Sequence, residues 1–278
     1  MLRKFRDDND RRSEEVVEIY EECLTSKMNK LGNEKWLVYE QVCLAALDCS
    51  RQDIAQKCLS ALRHQFPDSS RVKKLAAMQH ESLGSYERAI RIYDSLQHQD
   101  ESSSSVRKRR ISILHAAGKT SDAIVELNAY LKQFMSDYEA WMELCDLYIS
   151  ENDYAKASYC MEEVLLSNPH NHLYHQRYAD IRYTQGTIDN MELARAHYSQ
   201  AVALNCNNVR AMYGLFLSAS NIASAPKSTV QRKRDNIKYA MWAANQIHER
   251  YQKLNKENDT QMKAVDDMLE SLQFATVN

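Results

Sequence analysis

Apolar and small residues along this chain recur at i, i+3, i+4 and i+7, the spacing that puts them on one face of an α-helix. Trp141, Leu144, Cys145 and Tyr148 form one such set, and Ala157, Met161 and Val164 form the next. Polar Glu151-Asn152-Asp153 separates them with turn and N-cap residues, and Pro169 follows the second set, where its ring ends a helix. The pattern predicts two antiparallel helices over 138–171. Val16, Ile19, Tyr20, Cys23 and Leu24 predict a helix near the start, with acidic residues in its first turn.

The pair repeats. Counting back from Ala157 in steps of 34 residues meets Ala123, Ala89 and Ala55, and three such steps back from Pro169 meet Pro67. The bulky position of Met161 maps to Leu127, Tyr93 and Leu59, and Gly84 and Gly118 fall one period apart at the turn inside each pair. A fixed period marks a solenoid, and the order Trp, Leu and a small residue, Tyr, Ala, a bulky residue and Pro resembles the tetratricopeptide repeat. The alanines answer a packing need: helices approach to about 8–10 Å only over small side chains. Trp141, Ala55, Ala89, Ala123, Ala157, Pro67 and Pro169 are therefore read as structural repeat positions.

The expected fold is all-α, a solenoid of antiparallel helix pairs with capping helices at both ends. Residues 1–12 read as a flexible, charged N-terminus, 13–35 as the N-terminal capping helix, and 36–250 as an array of about six helix pairs. Within the array, Gly186 to Ala194 is longer than Gly118 to Ala123, which predicts an enlarged turn near 187–190. A sixth unit contains Met212, Leu215, Phe216 and Ala219, then a long loop over 220–235 with Pro226 and Arg232-Lys233-Arg234, then Tyr239, Ala240, Trp242, Ala243 and Ile247. Residues 251–278 read as a linker and a C-terminal capping helix carrying Ala264, Val265, Met268, Leu269 and Leu272.

Composition narrows this picture. In 278 residues there are only 5 glycines and 3 prolines, which disfavours an all-β fold and a glycine-rich phosphate loop. A net charge of -2 provides no field toward nucleic acid or anionic lipid. The seven cysteines include no C-x-x-C, and most lie on apolar helix faces, where Cys behaves as a small hydrophobe in a reducing setting. The charged start MLRKFRDDNDRR is unlike a signal peptide, and no apolar run reaches the roughly 18 residues of a membrane span.

Candidate chemistry is sparse. His170, His172 and His175 suggest a metal, but no further ligands stand at a recognisable spacing, and a polar turn with a helix start accounts for them. Arg107-Lys108-Arg109-Arg110 lies on a predicted first helix, where the side chains point around the whole helix rather than forming a nucleic-acid patch. Ser102 to Ser105, after Asp100-Glu101, read equally as phosphate acceptors and as a flexible inter-repeat turn. No nucleophile elbow, H-E-x-x-H or motif-spaced carboxylate pair is present, so no enzyme, cofactor or metal is expected.

In tetratricopeptide arrays first-helix side chains line the inner surface. That places Arg71, Lys74, Met78, Lys108, Arg109, Met142, Asp146, Arg177, Asp180, Tyr183, Arg210 and Tyr213 in a partner-binding groove. Chaperone adaptors of this class hold a C-terminal carboxylate with groove asparagines. The corresponding positions here are Met78, Ser112, Asp146 and Asp180, so a clamp of that kind is not expected, although the basic residues leave parts of the groove positive.

The segments YEQVCLAALDCSRQDIAQKCLSALRHQFPDSSRVKKL, YAKASYCMEEVLLSNPHNHLYHQRYADIRYTQG and KAVDDMLESLQ resemble the family of subunit 2 of the endoplasmic reticulum membrane protein complex, also called tetratricopeptide repeat protein 35. The resemblance covers nearly the whole chain beyond the first dozen residues. It implies a non-catalytic scaffold, peripheral on the cytoplasmic face of the endoplasmic reticulum, that ties cytosolic segments of membrane subunits to a soluble subunit. It also implies a part in inserting tail-anchored and multipass proteins, with membrane association through partners and no nucleic acid. The competing reading is a cytosolic adaptor or co-chaperone that binds short peptides.

Overall fold

The computed structural model describes residues 1–100, 102–226, 228–254 and the single positions 263 and 267. Helices α1 (Leu2–Asp7) and α2 (Ser13–Ile19) come first, followed by a π-helical turn (Tyr20–Leu24) and a 3-10 segment (Met28–Glu34). Helices then alternate as first and second members of pairs: α3 (Lys35–Asp48) and α4 (Gln52–Gln65), α5 (Ser70–Ser82) and α6 (Tyr86–Gln99), α7 (Ser104–Ala116) and α8 (Thr120–Leu131). They continue as α9 (Tyr138–Ser150) and α10 (Tyr154–Ser167), α11 (His172–Gln185) and α12 (Ile188–Leu204), α13 (Val209–Ser224) and α14 (Val230–Leu254). The fold is an all-α tetratricopeptide-type arrangement, and no strand occurs among the described residues. Met1–Glu126 and Leu127–Asn278 form two compact units.

A left-handed residue follows five of the six first helices, α13 being the exception with an extended Ala225. Ser50, Gly84, Gly118, Asn152 and Gly186 follow one another at intervals of 34 residues, and φ lies between 58° and 76° at all five. Glycine adopts this conformation without Cβ strain, and Asn tolerates it through local hydrogen bonding. Four residues on from Gly84 and Gly118 the next helix is under way, and one residue later Ala89 and Ala123 are fully buried, as are Ala55 and Ala157. A bulky side chain at any of these alanines would cost on the order of 1–3 kcal/mol by overpacking.

In the first unit, Val38, Val42, Cys43 and Ala46 of α3 pack with Ile54, Ala55, Cys58 and Leu59 of α4 and with Leu75 and Ala76 of α5. A second cluster joins Ala77 to Ala89, Tyr93 and Leu96 of α6 and to Val106 and Ile113 of α7. The second unit has its own core, in which Ala194, Tyr198 and Ala201 of α12 meet Met212, Leu215, Phe216 and Ala219 of α13 and Ala243 and Ile247 of α14. Burial pushes the thiols of Cys43 and Cys160 up to about 12 and those of Cys58 and Cys145 to about 11, so these four are packing groups rather than nucleophiles.

Helix starts differ between the units. In the second, Asp137, Asp153, Asn171, Thr187 and Asn208 each accept a backbone N–H in the first turn of α9 to α13. In the first, the residues that open α1 to α7 make no side-chain cap bond, so those starts depend on packing.

Three expectations are corrected. The first twelve residues are not all flexible: Leu2 and Phe5 of α1 are buried in the first core, and Arg6 donates to Gln41 at 2.6 Å. The charged run conceals two apolar residues one helical turn apart. The segment 187–190 is not an enlarged turn, because Gly186 ends α11, Thr187 caps α12 by accepting from Asn190 N at 3.2 Å, and Ile188 onward is helix. The three extra residues lengthen a helix. Most of 220–235 is likewise helix: α13 runs to Ser224 with Ile222 and Ala223 buried, and α14 begins at Val230. The C-terminal capping helix, with Ala264, Val265, Met268, Leu269 and Leu272, lies outside the described residues.

Candidate functional site: the first-helix surface and its apolar clefts

Four arginines of first helices each face a carboxylate on the preceding first helix. Arg71 of α5 binds Glu40 of α3 through Nη2 at 2.6 Å and Nε at 3.2 Å. Arg109 of α7 reaches Glu81 of α5 at 2.7 Å. In the second unit Arg177 of α11 pairs with Asp146 of α9, and Arg210 of α13 with Asp180 of α11 at 3.0 Å. The partners stand 28 to 31 residues apart, close to one repeat, so stacking the repeats brings them together. Four of the arginines expected to make the groove positive thus neutralise neighbouring carboxylates.

Two of these acids are also held from below. The Tyr93 hydroxyl donates to Glu81 Oε1 at 2.5 Å, and the Tyr198 hydroxyl donates to Asp180 Oδ1 at 2.5 Å. Burial and then the carboxylate contact drive both phenols well above the ordinary tyrosine range, so they remain donors at any physiological pH. Each tyrosine sits on a second helix, its carboxylate on the first helix of the same pair, and the arginine on the next first helix. The resulting chain of bonds fixes where one repeat receives the next.

The remaining candidates have mixed surroundings. Lys74 Nζ donates to Ser105 Oγ at 2.9 Å, and the Tyr183 hydroxyl accepts from Asn221 at 2.6 Å. Met78 packs against the first core, and burial together with Tyr251 raises the Tyr213 phenol. Lys108 and Met142 are half-buried, so neither is a free-standing contact group.

The histidines lock a repeat junction. His172 lies 3.0 Å from the side-chain amides of both Asn205 and Asn208. His175 Nε2 lies 2.9 Å from the Pro169 carbonyl, which can only accept, so Nε2 carries the proton. His175 Nδ1 faces Nδ1 of His197 across 3.0 Å. Burial first, then His175 and Arg182, depress His197 to about 4. Among the described residues no group of His, Cys, Asp or Glu is arranged to hold a metal.

Two apolar clefts went unnoticed in the sequence. One of about 400 Å³ is floored by Leu131, Leu144 and Cys160 and walled by Met135, Trp141 and Tyr159. Trp141 meets Tyr159 edge-on at 6.1 Å and donates to the Met135 carbonyl at 2.9 Å, so the indole is positioned while Tyr159 stays 55% exposed. A second, about 240 Å³, lies in the first unit between Trp36, Leu37, Phe66 and Val72, with Glu40 and Arg71 at its edge. The signal for the first was Trp141 itself, which reads as a core position but opens onto a cleft.

Helix pairs with left-handed turns at a 34-residue period define a tetratricopeptide-repeat protein, and the comparisons with known proteins agree. A solved tetratricopeptide structure, the C-terminal part of a repeat-containing protein from Cytophaga hutchinsonii, superposes with a TM-score of 0.63 over 93% of this chain and 95% of that one at 17% identity, a likeness of fold alone. The family described as the EMC2 TPR-like repeat domain matches residues 53–202. ER membrane protein complex subunit 2-A of Xenopus laevis is 50% identical over 276 residues, covering 98% of this chain and 93% of that protein. ER membrane protein complex subunit 2 of Dictyostelium discoideum is 33% identical, covering 88% and 80%. The chain belongs to the family of ER membrane protein complex subunit 2.

Proposed function

We propose that this chain is a non-catalytic scaffold within the endoplasmic reticulum membrane protein complex. In this reading it organises the complex's cytosolic portion and supports insertion of tail-anchored and multipass proteins. Its partners would be cytosolic segments of membrane subunits and a soluble subunit, and it would lie peripherally on the cytoplasmic face. The observation that carries the reading is the match to subunit 2 proteins along almost the whole chain. The geometry supports it: within each unit ion pairs tie successive first helices together, and the clefts at Trp141–Tyr159 and Trp36–Phe66 offer apolar sites for partner side chains. No helix among the described residues is long and apolar enough to cross a membrane, so attachment is assigned to partners.

A peptide-binding co-chaperone is the weaker reading. Capture of a C-terminal carboxylate needs basic groups available for it, and Arg71, Arg109, Arg177 and Arg210 already hold carboxylates of the chain. Alkaline carbonate extraction of membranes tests the scaffold reading. The chain is expected in the soluble fraction; retention in the pellet after its partners are stripped would contradict attachment through them.

A further inference from the structure

The hydrogen bond between Lys74 of α5 and Ser105 of α7 joins two successive first helices of the first unit through a neutral acceptor. Among the described residues no carboxylate lies within ion-pair distance of Lys74. Burial lowers the pKa of this amine first, and Arg109 lowers it further, while Glu81 and Glu40 act weakly in the other direction. The ammonium is thus half-buried, with the Ser105 hydroxyl at its tip. Arg71 lies one helical turn earlier on α5. Both residues, with Gln99, Asp100, Ser103 and Ser105, line a cleft of about 210 Å³, roomy enough for a phosphoryl group.

Ser105 also meets the demands of an attacking enzyme. It is exposed and is the second residue of α7, whose preceding Ser103 makes no side-chain cap bond. An uncapped first turn opens at low cost, so the serine can enter an extended substrate groove. Arg107, Lys108, Arg109 and Arg110 follow, the pattern favoured by an acidic, basophilic kinase groove.

We propose that Ser105 is a phosphorylation site whose phosphoryl group is held by Lys74. The donor is ATP: Ser105 Oγ attacks the γ-phosphorus and forms the new O–P bond as the bond to the leaving ADP oxygen breaks. The hydroxyl proton passes to the kinase's base. The product replaces a neutral hydroxyl by a group of about -2 charge with three acceptor oxygens. Lys74, already 2.9 Å from the serine oxygen, is placed to bind one of them, and the group stands at the positive end of α7. Asp100 opposes it, but its carboxylate is already turned to Ser102, accepting from the backbone N at 3.1 Å and the hydroxyl at 2.7 Å. Phosphorylation would tighten α5 against α7. This goes beyond the scaffold reading and does not depend on it.

Two measurements on the full chain test it. Incubation with ATP and a basophilic kinase of the protein kinase C class, followed by site mapping, should place phosphate on Ser105 and none there in Ser105→Ala; no label, or label confined to Ser102–Ser104, overturns the site. Phosphoserine encoded genetically at position 105 should raise Tm by about 2–4 °C and shift the phosphate's second ionisation, read by phosphorus NMR, to lower pH. Lys74→Gln should remove most of both effects, and the NMR shift remains readable if the variant is less stable. An unchanged Tm and titration, or the same gains in Lys74→Gln, overturn the contact with Lys74.

Discussion

Gly214 of α13 lies so close to Tyr198 of α12 that a Cβ at position 214 would stand 2.3 Å from the tyrosine ring. The ring has little freedom to retreat, because its hydroxyl is bound to Asp180, which in turn holds Arg210. One glycine therefore sets how closely two repeats of the second unit approach. Gly214→Ala should destabilise that unit by roughly 1–3 kcal/mol through overpacking, read by urea unfolding. In the Tyr198→Leu background the same substitution should cost much less, and an equal cost in both would place the strain elsewhere.

The left-handed turns make a second series. Ser50 takes φ of 58° with a side chain that gains little from it, so Ser50→Gly should stabilise by roughly 0.5–1 kcal/mol. Asn152→Gly should gain less, since Asn tolerates this region and its side chain accepts from the Tyr154 hydroxyl at 3.2 Å. Gly118→Ala should cost about 1 kcal/mol for backbone reasons alone, because no atom lies within 4 Å of the added Cβ. Thermal unfolding of the three variants checks the order.

These turns also mark what was readable in advance. Gly84 and Gly118 announced the period, and Ala55, Ala89, Ala123 and Ala157 fixed the close packing positions, because each requirement is met by one residue type. Ser50 was passed over because serine carries no left-handed signature. Counting residues from Gly186 to the next alanine predicts an enlarged turn, whereas Thr187 stands one period after the cap Asp153 and opens a longer helix. In 220–235 the polar run Gln231–Asp235 is mostly outward-facing helix, and periodicity is hard to see where α14 has only one packed side. The ladder from Glu40 to Arg71 and from Asp180 to Arg210 was invisible, since each half alone is an ordinary surface charge and only stacking pairs them.

His197 couples stability of the second unit to acid. Its folded value, about 4, lies below the ordinary 6.5. Above pH 6.5 neither state binds the proton and the group is silent. As pH falls from 6.5 to 4 only the unfolded chain takes it up, so stability falls, by about 1–2 kcal/mol once solvent screening is allowed for. Below 4 the loss is complete. Unfolding of His197→Gln across this range should show a shallower decline than the native chain, and parallel curves would remove His197 from the account.

The scaffold claim rests on partners, and the cleft at Met135, Trp141 and Tyr159 is where it can be attacked without unfolding the chain. Met135 is 70% exposed and Tyr159 is 55% exposed, so Met135→Asp with Tyr159→Asp should change stability by only about 0.5 kcal/mol per site. The decisive measurement is the stoichiometry of proteins recovered with the tagged native chain and with this double variant from membranes solubilised in mild detergent. The native chain should come out equimolar with the other subunits of the endoplasmic reticulum membrane protein complex, and the double variant, still folded, should lose at least one of them. Recovery of the native chain alone, or with chaperones in place of those subunits, would contradict the account.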